Sequence, residues 1–246
     1  MHNKINMMKI LVCISCAPDT TSKISVNENS RFNLEGLTFI VGPYDDYALS
    51  RAIEIKESNE AEVILFHVGK SDAEPLIRKC LALGADRAVR IDVDAVDSDQ
   101  VSQEISAYVQ ENSIDLILMG KETIDYGNAI VPSLVGARLN MPVFNPVSQL
   151  QIVGEEIEIE IETIRGKAII QSKLPAVLGC QEPIAEWKIP NMRGIMSART
   201  KEILVKEPIN YVSDSLLQIE LVESSRKGIV IAPEKAEDII DILFNA

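Results

Sequence analysis

The chain has 246 residues, 46% of them hydrophobic, and a formal net charge of −13. That apolar content buries one substantial core with an arm to spare, and no apolar run approaches the ~18–20 residues of a membrane-spanning helix. The acidic balance repels nucleic acid and anionic membranes, so neither partner and no membrane insertion is expected. MHNKINMMKILVCIS shows neither a cleavable signal nor an Arg-rich transit pattern, which predicts a cytoplasmic protein starting at Met1 or Met8.

Apolar runs of strand length open the chain at Lys9–Ser15 (KILVCIS) and return at Glu62–His67 (EVILFH) and Asp115–Met119 (DLILM), with a weaker alternating run at Arg87–Val93. Runs this uniformly apolar suit strands buried on both faces of a parallel sheet. Helices fall between them. Tyr44–Glu57 places Ala48, Leu49, Ala52 and Ile53 on one face, with Pro43 at the first helical position and Asp45 and Asp46 in the first turn. Ser71-x-x-Glu74 predicts a capping box for a helix ending before Gly84. Asp97 or Ser98 caps a helix carrying Val101, Ile105 and Val109, and Pro132 starts another that runs to about Leu139. After Pro142 the period becomes two: Val147–Val153, Glu156–Ile164 and Lys167–Gln171 predict an antiparallel extension, and Leu174–Gly179 returns to the main sheet. From about Pro208 the chain turns polar, with a final helix at Pro233–Phe244 too thin to form a core. The predicted fold is α/β, an open, mostly parallel sheet with helices on both faces, plus a small antiparallel extension and a C-terminal arm.

Most enzyme signatures are missing: no G-x-G-x-x-G after a strand, no G-x-x-x-x-G-K-[ST] and no G-x-S-x-G. Of the two histidines, His2 sits at the terminus and His67 ends a strand without an acid or nucleophile partner in sequence, so a structural role outweighs a general base. Cys13 and Cys16 form a C-x-x-C, open to a redox pair or half a zinc site. Because no second pair or His cluster accompanies it, small buried thiols are the better reading. In open α/β sheets ligands bind at the C-terminal strand ends, here Ser15–Thr20, Val68–Lys70 and Gly120–Val131. The helix start at Gly42-Pro43 suits a phosphate or carbonyl edge, with Asp45 and Asp46 arguing against a strong anion site. The residues themselves point to a nucleotide-sized ligand there, of unspecified identity. A basic run, Lys188, Arg193, Arg199, Lys201 and Lys206 against Glu202 alone, is either a solvated loop or a partner surface.

Several segments in order resemble the beta subunit of electron transfer flavoproteins: GPYDDYALSRAIEIKE (Gly42–Glu57), LIRKCLALGADRAVRI (Leu76–Ile91), DLILMGKETID (Asp115–Asp125), and LPAV, EP and NMRGIMSARTKEI between Leu174 and Ile203. The resemblance implies an adenine nucleotide alpha hydrolase-like fold with strand order around 3-2-1-4-5. Residues 1–205 would form the nucleotide-binding domain, and Lys206–Ala246 an arm packing on an alpha subunit. It further implies an electron carrier and not an enzyme, in a heterodimer whose alpha subunit holds most of the FAD. Electrons would come from flavin-dependent dehydrogenases, such as the acyl-CoA dehydrogenases of fatty acid oxidation, and pass to a quinone-linked acceptor. Beta subunits of this family usually bind AMP. By position its contacts fall on Cys13, Gly42, Pro43, Tyr44, Asp45, Val68 and the loop from Gly120 through Asp125, Asn128, Ala129 and Ile130 to Val131. Thr20 aligns near the flavin ring, Glu162 near the mobile flavin domain, and Met192, beside Arg193, with the apolar residue that anchors dehydrogenases. The insertion Ile184–Lys188 lengthens the approach to that anchor.

Two departures stand out. Gly42 replaces the family's Asn before Pro, and Ala129-Ile130-Val131-Pro132 replaces its Asn-Gln-Thr-Gly phosphate stretch, leaving backbone N–H groups as the donors. Alternatives are a bifurcating member with a second FAD, a universal-stress-type nucleotide-binding module, and an ATP-pyrophosphatase. The last two lack their phosphate loops here.

Overall fold

The structure, a computed structural model, describes residues 7–27, 32–212, 220, 228 and 230–244; His2, the start at Met1 and parts of the expected arm lie outside them. The elements follow as β1 (Met8–Cys13), β2 (Cys16–Pro18), β3 (Phe39–Val41), α1 (Pro43–Ser58), β4 (Ala61–Val68), α2 (Glu74–Leu83), β5 (Arg87–Ile91), α3 (Ser98–Glu111), β6 (Leu116–Gly120) and α4 (Val131–Leu139). Then come β7 (Val143–Val153), β8 (Glu156–Thr163), β9 (Gly166–Lys173), β10 (Ala176–Cys180), α5 (Met192–Ala198), β11 (Ile203–Lys206) and α6 (Asp238–Phe244).

Nine strands form one sheet in the order β11-β5-β4-β1-β6-β10-β7-β8-β9, parallel from β11 through β7 and antiparallel at β8 and β9. The expected 3-2-1-4 core is present as β5-β4-β1-β6. Beyond it, β10 inserts between β6 and β7, pairing in parallel with both. The alternation of side chains along each strand divides the core. Ile10, Val12, Leu65, Leu116 and Leu178 face α1 and α2, with Leu49, Ile53, Ile77 and Leu81. Leu11, Ile64, Phe66, Ile117 and Val177 face α3 and α4, with Ile105, Val109 and Val135. Because both faces are covered, the central strands carry apolar residues on both faces over most of their length, which is why they read as nearly unbroken runs. In β8, by contrast, Ile157 and Ile159 are buried while Glu158, Glu160 and Glu162 turn outward.

Caps follow the sequence with one exception. Asp97 starts α3 by accepting the Gln100 N–H at 2.8 Å, and Gly84 ends α2 at φ +136°. The Ser71–Glu74 box does not form. Ser71–Ala73 is a single 3-10 turn, and neither it nor α2 has a side-chain cap. Pro75 supplies the preset φ inside the first turn, so α2 begins without the hydroxyl. Contacts divide the chain into two units, Met1–Ser22 with Gly36–Ser215, and Lys23–Glu35 with Leu216–Ala246. The larger holds the sheet. The smaller contains a Val26–Phe32 bridge, a 3-10 turn at Pro233–Lys235 and α6.

Candidate functional site

The C-terminal ends of β1 and β6 meet the start of α1, and Asp45 joins all three. Its side chain, 3% exposed, accepts the Ser15 N–H (2.8 Å) and Ser15 Oγ–H (2.6 Å) on Oδ2 and the Gly120 N–H (2.7 Å) on Oδ1. A Cβ at Gly42 would lie 2.5 Å from Asp45 Oδ2, and one at Gly120 2.6 Å from Oδ1. The carboxylate thus needs glycine on both sides, and one of them is the Gly42 that replaces Asn. Burial raises the Asp45 carboxyl to about 6, against the Ser15 and Gly120 donors, which pull it down. The first turn of α1 has little left for a ligand anion: Pro43 lacks an N–H, and Asp45 and Asp46 donate theirs to the Gly42 carbonyl.

The loop between β6 and α4 has the opposite character. Its first residue, Lys121, donates its N–H to the Cys180 carbonyl at 2.9 Å and sets its ammonium 4.7 Å over the Tyr44 ring. Gly127 and Ala129 both adopt positive φ, +57° and +53°, and Ile130 reverts to −94°. Successive N–H groups in such a left-then-right alternation are what a backbone nest offers an anion, and here they belong to Ala129, Ile130 and Val131 at the start of α4. Among the described residues, only a long 3.4 Å contact to Asn128 Oδ1 engages any of the three. The donors this stretch offers an anion are therefore backbone N–H groups alone. Asn145, on β7, ties the loop at both ends: Nδ2 donates to the carbonyls of Lys121 (3.1 Å) and Ala129 (3.5 Å). Its Oδ1 is buried against Gly179 and finds no donor among the described residues. Sequence reasoning missed Asn145; its place before Pro146, at the β10-facing start of β7, was the available sign.

The other expected contacts distribute around this edge. Cys13 is buried at the end of β1, where burial and then the Asp45 carboxylate push its thiol up. Cys16, on β2, is pushed up to about 12, again mainly by burial. Val68 ends β4. Before it, His67 is buried with Nδ1 2.9 Å from the Ile14 carbonyl oxygen, so Nδ1 carries the ring proton, and burial lowers its pKa. That is a backbone-bridging histidine, as expected. Asp125 and Asn128 are exposed in the loop, and Asn128 Nδ2 reaches Ser98 Oγ at 2.9 Å. Thr20 lies in an exposed turn between β2 and β3, and Glu162 near the tip of the β8–β9 hairpin, in register with Lys167.

A second region lies at α5. Asn191 caps it by accepting the Gly194 N–H at 2.8 Å. Only Ala198 of its seven residues is buried, while Met192 is 74% exposed and Met196 66%, with Ile189 and Trp187 also outward. The basic run proves to be two populations. Lys188 pairs with Glu57 (2.9 Å), Lys206 with Glu111 (2.6 Å), and Lys201 binds backbone carbonyls. Arg193 and Arg199 make no ion pair among the described residues.

The Electron transfer flavoprotein domain matches residues 32–209. The chain is 32% identical over 200 residues to the electron transfer flavoprotein subunit beta of Bacillus subtilis, covering 80% of this chain and 77% of that one. It is 30% identical over 230 residues to the subunit of the same name from Syntrophomonas wolfei, covering 92% and 91%. It is also 31% identical over 203 residues to the caffeyl-CoA reductase-Etf complex subunit CarD of Acetobacterium woodii, covering 80% and 78%. The chain belongs to the electron transfer flavoprotein family and, like the relatives so named, is an electron-transfer subunit and not an enzyme.

Proposed function

We propose that this chain is the beta subunit of a heterodimeric electron transfer flavoprotein, accepting electrons from flavin-dependent dehydrogenases such as acyl-CoA dehydrogenases and passing them to a quinone-linked acceptor. FAD, held mainly by an alpha subunit, supplies the redox chemistry when bound. The observation that carries the reading is the apolar display of α5: an exposed Met192, 74% accessible, beside Arg193 on a helix that contributes almost nothing to this chain's own core. A flexible thioether accommodates several partner pockets, and the nearby arginines attract acidic partner surfaces. Ala129, Ile130 and Val131 would hold the phosphate of AMP, a nucleotide with no redox part, while Asp45 and Lys121 order the sheet end around it. Thr20 and Glu162 would face the flavin domain, and residues 206–246 would reach over the alpha subunit. The setting is cytoplasmic fatty acid oxidation.

A second reading has its own support, the relative named as a subunit of a caffeyl-CoA reductase-Etf complex. In it, the Ala129–Val131 N–H groups take the phosphates of a second FAD and the complex splits electron pairs. One experiment separates the two. The chain is co-expressed with its genomic alpha subunit, and the purified complex is denatured to count flavin and AMP. One FAD per heterodimer with AMP supports the plain carrier; two FAD support bifurcation. A flavin-free chain that binds no alpha subunit would refute both.

A further inference from the structure

Helices α2 and α5 are joined end to end by two cations. Arg78, within α2, donates from Nη1 to the carbonyl oxygens of Ala198 (2.7 Å) and Lys201 (2.5 Å), at and beyond the end of α5. Lys201 returns the contact: Nζ donates to the carbonyl oxygens of Leu81 (3.0 Å) and Ala85 (2.5 Å), at and beyond the end of α2. The carbonyl-bearing end of α5 is therefore met by a cation from α2, and that of α2 by a cation from the segment that follows α5. Between the two clamps Gly194 lies flat on α2, so close that a Cβ there would fall well under 3.0 Å from the Ala82 carbonyl oxygen.

The two helices depend on this arrangement unequally. Ile77, Cys80 and Leu81 root α2 in the main core, whereas α5 buries Ala198 alone. Seven residues are too few for a helix to persist by its own hydrogen bonds, and one buried alanine adds little. What fixes the direction of α5 is the pair of clamps with the Asn191 cap. Lys201 gives up hydration to take part; burial lowers its pKa. It is not a freely solvated charge of the basic run.

We infer that Arg78 and Lys201 are positioning residues for partner docking: they hold α5 in the one orientation that presents Met192 and Met196 outward. This rests on the reading of α5 as the docking element. If the clamps act through Met192, removing one after Met192 has gone has little left to change, which a double-mutant cycle measures.

The test uses the heterodimer with its alpha subunit and follows flavin reduction by a purified acyl-CoA dehydrogenase that reduces the parent complex. The variants are Lys201→Met, which keeps the aliphatic stem, Lys201→Arg, which keeps the donors, Met192→Ala, and Lys201→Met with Met192→Ala. Lys201→Met is expected to raise KM for the heterodimer about tenfold at unchanged kcat and FAD content, and Met192→Ala to raise it by about tenfold or more. Lys201→Arg should recover most of the loss, and Lys201→Met should add less than about twofold on the Met192→Ala background. The tenfold ratio should persist at high salt, where long-range steering is screened. If Met192→Ala weakens docking and Lys201→Met does not, the positioning role is wrong and the docking reading stands. If Met192→Ala has no effect, the docking reading fails and takes this inference with it. Losses that multiply in the double variant, or that vanish with salt, overturn the inference in favour of an independent contact or of charge steering.

Discussion

Replacing Asp45 by Asn tests the physical account of the sheet end, because burial and hydrogen bonding pull that carboxyl in opposite directions. The folded pKa of about 6 lies above the ordinary 3.8, a gap equivalent to ~3 kcal/mol. A carboxyl whose folded pKa is raised binds its proton more tightly in the native state. Its contribution therefore favours folding most below the unfolded pKa and declines as pH climbs from about 4 to about 6, then stays level. The replacing amide has no such proton to lose. It also offers one acceptor oxygen to the three donors that the ionised Asp45 satisfies, a cost of about 1–3 kcal/mol against the carboxylate and little against the protonated acid, which likewise has one carbonyl oxygen. The parent's stability minus that of Asp45→Asn should accordingly fall by ~3 kcal/mol between about pH 4 and about pH 7, far enough to bring it to zero or reverse its sign. Urea unfolding of both proteins, followed by far-UV circular dichroism across that range, measures it. Carboxylates remote from Asp45 cancel in the subtraction, and Asp46, whose charge adds to the Asp45 shift, is the neighbour that does not. A difference that stays constant would mean that the Ser15 and Gly120 donors fully offset burial, and one that grows with pH that they outweigh it; either result would refute the argument from desolvation.

Three further outcomes follow from the geometry. Gly194→Ala forces backbone against backbone at Ala82 and should cost about 1–3 kcal/mol while raising KM for the partner dehydrogenase, read by thermal melting and flavin reduction. Ala129→Gly removes a side chain from a left-handed backbone position and should stabilise the chain by up to ~1 kcal/mol; a lower melting temperature would contradict the assigned loop conformation. Asn145→Ala unties both ends of the Lys121–Ala129 loop, costing about 1–2 kcal/mol, and AMP recovered from the purified heterodimer should fall with it.

How much of this was legible depended on whether the cause was local. Central strands such as Glu62–His67 declared themselves because burial on both faces makes Val63–Phe66 an unbroken apolar run, and β8 did so because one face is wet and IEIEIETI alternates. Asp97 at the start of α3 and Pro43 at the start of α1 act within one turn and were visible. Ser71–Glu74 was visible and misleading, since Pro75 starts the helix by another route. What the sequence hid was always a meeting of distant segments. Lys201 and Lys206 share one basic run, yet one binds α2 carbonyls and the other Glu111. Asn145 became meaningful only with Lys121 and Ala129 beside it. The insertion of β10 between β6 and β7 left no periodic trace, because a strand's pattern states how much of it is buried and not which strands flank it.

That insertion bears on how the chain reaches its fold. During synthesis β6 emerges early and β7 soon after, yet they share no ladder; each waits for β10, whose first residue is 56 positions beyond the last of β6. Until residue 176 leaves the ribosome, β6 and β7 each expose an unpaired edge next to their apolar faces, the kind of surface that recruits other chains. The β7–β9 meander can form alone in the interval, being built from neighbouring segments, while closure of the sheet must wait for a long-range contact and should be slow. A ribosome stalled before Ala176 would hold a half-sheet with two open flanks, and a few residues later a nearly complete one. Solubility of nascent chains should therefore change abruptly, and not gradually, as this short strand is added.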